Sequence, residues 1–126
     1  MQVKIDTREK FHAITILEPA LAANMTEELE KDLLPLLEKD VKNVVLILKD
    51  IPEVEEAAAD CLVKIQQAFY DNSASFVICE LTPAVEQYLE DNGFLELMNV
   101  TPTESEARDI VQLEEVEREL LNGPDL

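Results

Sequence analysis

The sequence predicts an α/β domain in which a mixed, mostly parallel sheet is packed by four helices. Its 126 residues, 47% of them hydrophobic, fit one domain with its own core. Residues 43–48 place five consecutive apolar residues after one asparagine, which is typical of a strand covered on both faces. Strand and helix patterns alternate in the order β-β-α-β-α-β-α-β-α, which favours parallel strands joined by helices.

The first two predicted strands, residues 1–5 and 11–17, are joined by the polar turn 6–10 and form a hairpin. His12 is the only histidine and lies beside this turn. We interpret it as a solvated strand position rather than a catalytic base.

The first helix follows a loop at residues 18–23. Asn24 is its predicted N-cap, and Glu27 completes a capping box. Pro35 lies within the apolar stripe and should kink or restart the helix, since an interior proline costs about 3 kcal/mol. The stripe consists of Met25, Leu29, Leu33, Leu36 and Leu37.

A second helix is predicted from about Glu55 to Tyr70, directly after the central strand. The strand at residues 75–81 leads to a third helix, with Thr82 as its N-cap and Pro83 at its first position. Residues 92–93, Asn-Gly, should end that helix in a left-handed cap.

Residues 94–98 are a candidate edge strand. A capping box from Thr103 to Glu106, or a start one turn earlier at residues 101–102, opens the last helix, which runs to about Leu121. Residues 122–124 stop it, so we predict a domain over residues 1–121 and a tail over 122–126. Val116 and Leu120 pack either on the domain's own sheet or on a second copy in a homodimer.

The charge balance, 28 acidic against 10 basic residues, gives a net charge of −18. Such a surface repels nucleic acid and anionic membranes and attracts basic partner surfaces, although it also fits an ordinary acidic cytosolic protein. No apolar run approaches the about 18 residues of a membrane span, and no leader is evident. We expect a cytoplasmic protein.

Little in the sequence indicates catalysis. Cys61 and Cys79 are interpreted as small buried hydrophobes, because they lack metal-ligand spacing. The two glycines, Gly93 and Gly123, form no phosphate-binding loop.

The second helix opens with an acidic cluster of Glu53, Glu55, Glu56 and Asp60. The cluster fits a solvated helix end better than a Mg²⁺ or Ca²⁺ site. We expect no enzyme, cofactor or metal.

Three local patterns, together with the element order, give the chain a family resemblance. They are the strand 43–50 leading into an alanine-rich helix start, the segment 81–85 with Leu89 and residues 92–94, and the acidic helix start at 102–107. Over residues 1–112 the chain resembles the STAS domain family of bacterial anti-sigma factor antagonists. The resemblance implies a protein-interaction module that binds an anti-sigma factor or switch kinase.

In that family the partner phosphorylates a serine in an Asp-Ser-Ser-Gly loop, which breaks the complex. The resemblance places this loop on Glu55, Glu56, Ala57 and Ala58, with Glu56 at the phosphoacceptor position. Residues 44–67 contain no serine or threonine. The family's earlier Gly-x-Leu-Asp feature falls on residues 19–22 and lacks its glycine and aspartate.

The sequence therefore predicts phosphorylation-independent binding of a regulatory partner. Glu56 either imitates part of a phosphoserine or only favours the positive end of the helix dipole. The alternative functions are small-ligand binding, to a nucleotide or lipid, and a role as an accessory subunit of a transporter. The predicted partner-binding residues are Ile51, Pro52, Glu53, Val54, Glu55, Glu56, Ala57, Ala58, Ala59 and Cys61.

Overall fold

The computed structural model describes residues 1–121. The predicted tail and the stop signal at residues 122–124 lie outside this range. The strands are β1 (Val3–Thr7), β2 (Phe11–Ile16), β3 (Asn43–Ile47), β4 (Phe76–Cys79) and β5 (Val100–Thr101). The helices are α1 (Thr26–Leu33), α2 (Glu56–Asp71), α3 (Pro83–Asp91) and α4 (Glu104–Leu121). This order confirms the predicted fold class.

The strands form one five-stranded sheet in the order β1-β2-β3-β4-β5. β1 pairs antiparallel with β2, and every other pair is parallel. β3 is the central strand, with Leu46 opposite Ile14 on one side and Ile78 on the other. All five of its residues are buried, which explains the uninterrupted apolar run in the sequence.

Alternate residues of β3 face two different layers, as the period of a strand requires. Val44 and Leu46 belong to the larger apolar cluster, which also holds residues of α1, α2 and α3. Val45 and Ile47 belong to a smaller cluster with Ala107 and Val111 of α4. One face of the sheet is therefore covered by three helices, and the other by α4.

The start of the first helix differs from the prediction, whereas its interruption is confirmed. Asn24 is not an N-cap, because it lies inside the short 3-10 helix Ala23–Met25 that precedes α1. The backbone N–H of Ala23 donates to the carboxylate of Glu55, so a residue far along the chain caps this turn. α1 ends at Leu33, and a 3-10 segment containing Pro35 (Leu34–Glu38) follows it.

The predicted start and end of α3 and the predicted start of α4 are confirmed. The Thr82 hydroxyl oxygen accepts a hydrogen bond from the Val85 N–H at 3.3 Å, and α3 is followed by Gly93 with φ +76°, the left-handed conformation that glycine adopts without strain. At the start of α4, the Thr103 hydroxyl oxygen accepts from the Glu106 N–H at 3.2 Å.

The predicted edge strand at residues 94–98 is wrong. The chain there forms a 3-10 helix, Leu95–Leu97, in which Leu97 N–H donates to the Phe94 carbonyl at 2.9 Å. The left-handed turn at Gly93 directs the chain into this tight coil, and the edge strand β5 comes only after it. β5 has two residues and pairs with β4.

Candidate functional site

The junction between β3 and α2 begins with a turn that is anchored to the start of α3. The backbone N–H of Ile51 donates to the Leu48 carbonyl at 3.1 Å, and the Ile51 side chain is fully buried. The Thr82 hydroxyl donates to the Ile51 carbonyl at 3.3 Å. The N-cap residue of α3 therefore also fixes the chain that leaves β3.

Leu21 holds the junction from the opposite side. Its N–H donates to the Glu53 carbonyl at 2.9 Å, and its carbonyl accepts from the Glu55 N–H at 2.8 Å. This pairing forms an isolated parallel bridge between Leu21 and Val54, both of which are buried. The sequence analysis missed Leu21. The only indication in the sequence is that Leu21 is a large apolar residue in a loop of proline and alanines.

Glu55 stabilises a neighbouring turn. Its backbone is the N-cap of α2, with φ −86° and ψ 156°, yet its side chain makes no capping bond to that helix. The Glu55 Oε1 instead accepts from the Ala23 N–H at 2.7 Å. A carboxylate that accepts from the first N–H of a helical turn satisfies a donor that the turn itself cannot bond.

Glu56 is the first residue of α2 and is exposed. Its carboxylate makes no hydrogen bond or ion pair with another residue of the described chain. The alanines after it differ among themselves, because Ala57 is exposed whereas Ala58 and Ala59 are fully buried against the core. Their small side chains let the helix start pack closely on the domain.

The structure thus divides the ten predicted partner-binding residues into two sets. The buried residues are Ile51, Val54, Ala58, Ala59 and Cys61. The exposed residues are Pro52, Glu53, Glu55, Glu56 and Ala57. Only the exposed set can contact a partner directly, and the buried set holds it in place. We call the exposed set, residues 52, 53 and 55–57, the junction surface.

The junction surface is acidic and has no cation of its own. Asp60, one helical turn further along α2, pairs with Lys64 at 3.0 Å. Across residues 1–121, no group of three or more His, Cys, Asp or Glu side chains is placed to hold a metal ion. The carboxylates of Glu53, Glu55 and Glu56 therefore act as separate surface charges, of which that of Glu55 also accepts from the Ala23 N–H.

Both cysteines are free and buried, as predicted. Cys61 lies with its Sγ 3.7 Å from the Thr26 carbonyl oxygen, and burial raises the pKa of its thiol. Burial, aided by the nearby Glu80 carboxylate, raises the pKa of Cys79 to about 12. Neither thiol has the lowered pKa of a nucleophile.

His12 is not the solvated residue that the sequence predicted. It is 7% exposed, and its two ring nitrogens lie 2.9 Å from the Thr7 hydroxyl and 2.8 Å from the Val41 carbonyl oxygen. Because a carbonyl only accepts, Nε2 carries the proton and Nδ1 accepts from Thr7. His12 ties the hairpin to the segment that enters β3, which is a structural role.

The element order and the mixed, mostly parallel sheet with helices on both faces are those expected of a STAS domain. A family model for the STAS domain matches residues 2–107. The chain belongs to the STAS domain family.

Solved structures share this fold at low sequence identity. An anti-sigma factor antagonist from Mycobacterium paratuberculosis has a TM-score of 0.75 and 12% identity, covering 88% of this chain and 93% of that chain. A serine-to-glutamate variant of RsbS from Moorella thermoacetica has a TM-score of 0.73 and 20% identity, covering 94% and 99%. The phosphorylated form of the Bacillus cell fate determinant SpoIIAA has a TM-score of 0.62 and 12% identity, covering 87% and 99%.

No curated protein sequence matches the chain significantly. Within residues 1–121, none of the helices combines the length and apolarity needed to cross a bilayer.

Proposed function

We propose that this STAS domain is a non-catalytic protein-interaction module whose regulatory partner docks on the junction surface without phosphorylation control. The observation that carries the proposal is the exposed carboxylate of Glu56, at the position to which the family resemblance assigns the phosphoacceptor. A carboxylate has no hydroxyl for a kinase to modify. An anti-sigma factor or a switch kinase is the partner class that the family implies, and another signalling or transporter component is the alternative.

The fixed backbone of the junction supports this role. Hydrogen bonds from Leu21 on one side and Thr82 on the other hold the chain beneath the exposed residues. A surface that is ordered before binding loses little conformational entropy when the partner arrives. Phosphorylation is then not needed to order it.

The charge of the junction surface favours a partner with a basic patch. Glu53, Glu55 and Glu56 are exposed within four residues, on a chain of net charge −18. Like-charged acidic surfaces would be repelled, whereas a cluster of Lys or Arg would be steered toward the site.

The fold that this chain shares with its structural neighbours accommodates added negative charge. One is an RsbS variant in which a serine is replaced by glutamate, and it keeps the fold shared with this chain. Another is SpoIIAA in its phosphorylated form. In this chain the carboxylate is the natural residue.

The decisive experiment is affinity purification with three baits in parallel: the unaltered chain, Glu56→Arg and Glu9→Arg. Glu9 is the matched control, because it is exposed and precedes β2, at the opposite edge of the parallel sheet from the junction. We expect one partner to be retained by the unaltered chain and by Glu9→Arg, and lost with Glu56→Arg. Equal recovery by all three baits would contradict docking at the junction, and ATP-dependent release with a phosphate adduct on this chain would contradict independence from phosphorylation.

Glu56→Gln separates the two interpretations of the glutamate. If Glu56 only favours the helix N-terminus, the free energy of unfolding falls by about 0.3–1 kcal/mol and partner affinity is unchanged. If the charge contributes to recognition, affinity changes as well. Urea unfolding and titration with the recovered partner measure the two quantities.

The remaining predictions from the sequence do not depend on this proposal. A homodimer through Val116 and Leu120 stays a prediction, with both side chains exposed, and the solution mass of the chain tests it. Binding of a nucleotide or lipid also stays a prediction, which native mass spectrometry of the purified protein tests. Cytoplasmic location and bacterial origin are expectations from composition and family.

A further inference from the structure

The second half of α4 has an inverted pattern, with apolar side chains outward and polar side chains toward the sheet. Leu113, Val116 and Leu120 are 58%, 46% and 79% exposed. Their spacing of three and four residues puts them on one face of the helix. We call these three residues the α4 stripe.

Hydrogen bonds attach the inner face of the same turns of α4 to the sheet. Glu114 Oε1 accepts from the Ser75 hydroxyl at 2.6 Å, and Glu115 Oε2 accepts from the Asn43 side-chain amide at 2.7 Å. Arg118 donates to the Ser75 Oγ at 3.2 Å. These bonds reach across to the starts of β3 and β4 and fix the rotation of α4 about its axis. The α4 stripe is therefore held facing away from the sheet.

The α4 stripe contributes little to the core of the described domain, because its three residues belong to neither apolar cluster. A helix that packs on its own core buries its apolar face, and α4 does so only in its first half, through Ala107 and Val111. Among the described residues, more than half of Leu113 and most of Leu120 stay accessible to solvent. An apolar row that is held outward by a polar inner face is typical of an interaction surface.

A groove beside the α4 stripe adds a concave surface lined by both apolar and charged residues. It has a volume of about 540 Å³ and runs between α4 and the start of β2. Val116 borders the groove and is its most exposed apolar residue, whereas Phe11 and Val111 line it but are buried. A large apolar side chain of a partner could enter there while its neighbours contact the stripe.

The charges beside the α4 stripe select the partner. Asp109 lies one turn before Leu113, and Glu117 and Glu119 lie one turn from Leu120 and Val116, respectively. All three acidic side chains are exposed. Lys10 and Arg108 also line the groove, but Lys10 pairs with Glu115 at 3.4 Å and Arg118 contacts Ser75 on the inner side. Acidic side chains therefore outnumber basic ones around the stripe and the groove. A second copy would bring the same acidic rim, together with another net charge of −18, so the rim favours a basic partner.

We propose that the α4 stripe and its groove dock an amphipathic helix of a partner protein, with an apolar face flanked by Lys or Arg. This surface is separate from the junction surface. The acidic rim would pair with the basic flanks while the apolar residues of the two helices pack together.

The test uses a fluorescent synthetic peptide of about 15 residues, with leucines on one helical face and lysines on its flanks. Two matched peptides replace either the leucines by serine or the lysines by glutamate. Fluorescence anisotropy at moderate salt compares the unaltered protein, the double variant Val116→Ser and Leu120→Ser, and the control Leu97→Ser, a 55% exposed leucine outside α4.

We expect the leucine–lysine peptide to bind the unaltered protein and Leu97→Ser equally, and the double variant about tenfold more weakly. Both matched peptides should bind the unaltered protein more weakly than the leucine–lysine peptide does. Amide NMR shifts of the unaltered protein should then move at residues 109–121 and not at 51–60, a readout that does not depend on how the variants fold.

Three results would overturn the proposal. Equal binding of the serine-substituted and leucine peptides would show general attraction to an acidic protein. Shifts confined to the junction would place the peptide elsewhere. A dimer in sedimentation that the double variant converts to monomer would make a second copy the occupant.

Discussion

At the scale of single residues, two adjacent glutamates of the junction have different environments. Glu55 accepts a hydrogen bond from Ala23, 32 residues earlier in the chain, whereas the Glu56 carboxylate is exposed with no partner in the described chain. The sequence predicts both as carboxylates at a helix start. It cannot tell which one is used internally, because that depends on where the loop before α1 passes.

We predict that Glu55→Ala lowers the free energy of unfolding by about 0.5–2 kcal/mol, the usual cost of losing a cap. The Ala23 N–H, bonded at 2.7 Å, loses its acceptor. Urea unfolding measures the change. Glu53→Ala is the matched control, since Glu53 engages Leu21 through its backbone carbonyl, and it should stay within about 0.5 kcal/mol. Equal effects of the two substitutions would contradict the capping role.

Cys79 gives a prediction about pH. Its pKa is raised from 9.0 to about 12 by burial, so the native state keeps a proton that the unfolded state releases near pH 9. The stabilisation that comes from keeping the Cys79 thiol protonated in the native state is therefore fully present below pH 9. It is lost as the pH rises toward 12. At pH 8 the native thiolate fraction should be about one thousandth of that of an ordinary thiol, and labelling of Cys79 by a disulfide reagent should occur only on unfolding. Rapid labelling of the native protein at Cys79, located by peptide mapping, would contradict this.

At the scale of elements, most local signals were predicted well, with the Asn24 cap as the exception, whereas several distant contacts were not. Thr82 and Pro35 act on their own helices within a few residues, and the structure confirms both. The edge strand was misplaced because an apolar pattern at residues 94–98 does not reveal which residues β4 pairs with. His12 was misjudged for the same reason, since its acceptor is the carbonyl of Val41.

Substitution of Asn43 tests how α4 is attached to the sheet. Its side chain donates to the Lys10 carbonyl at 3.0 Å and to Glu115 at 2.7 Å, and it accepts from the Ser75 N–H at 2.8 Å. We predict that Asn43→Ala lowers the free energy of unfolding by about 1–3 kcal/mol, because Ser75 N–H is left buried without an acceptor.

Hydrogen exchange should show which segment of the protein the Asn43→Ala substitution destabilises. Amides of residues 113–121 should exchange faster in Asn43→Ala, while those at the start of α4, where Ala107 and Val111 are buried, change less. Asn72→Ala is the control: Asn72 is exposed and bonds only locally, to the Ala68 carbonyl. Uniform acceleration along α4 would show that the network does not act on its second half in particular.

At the scale of the whole molecule, the parallel topology assembles the junction. Residues that follow β3 and β4 meet at one edge of the sheet, which brings Ile51 to Thr82. The alternation of elements predicted this topology, whereas the use of the junction as a binding site stays a prediction from the family resemblance. The bridge from Leu21 to Val54 depends on the path of a loop with no regular pattern, so its partners are visible only in the folded chain.

The net charge of −18 leads to a prediction for the molecule as a whole. Two like charges 10 Å apart in water repel by about 0.4 kcal/mol, and raising salt from about 10 to 150 mM shortens the screening length from roughly 30 to 8 Å. The ion pairs that offset this repulsion are mostly exposed, such as Lys64–Asp60 and Arg8–Asp6. We therefore expect sodium chloride over this range to raise the melting temperature by about 3–6 °C, equivalent to roughly 1 kcal/mol for a domain of this size. Glu9→Lys, which removes two units of negative charge at an exposed turn, should show a smaller increase. A melting temperature that falls with salt would mean that attractive pairs outweigh the repulsion among the acidic residues.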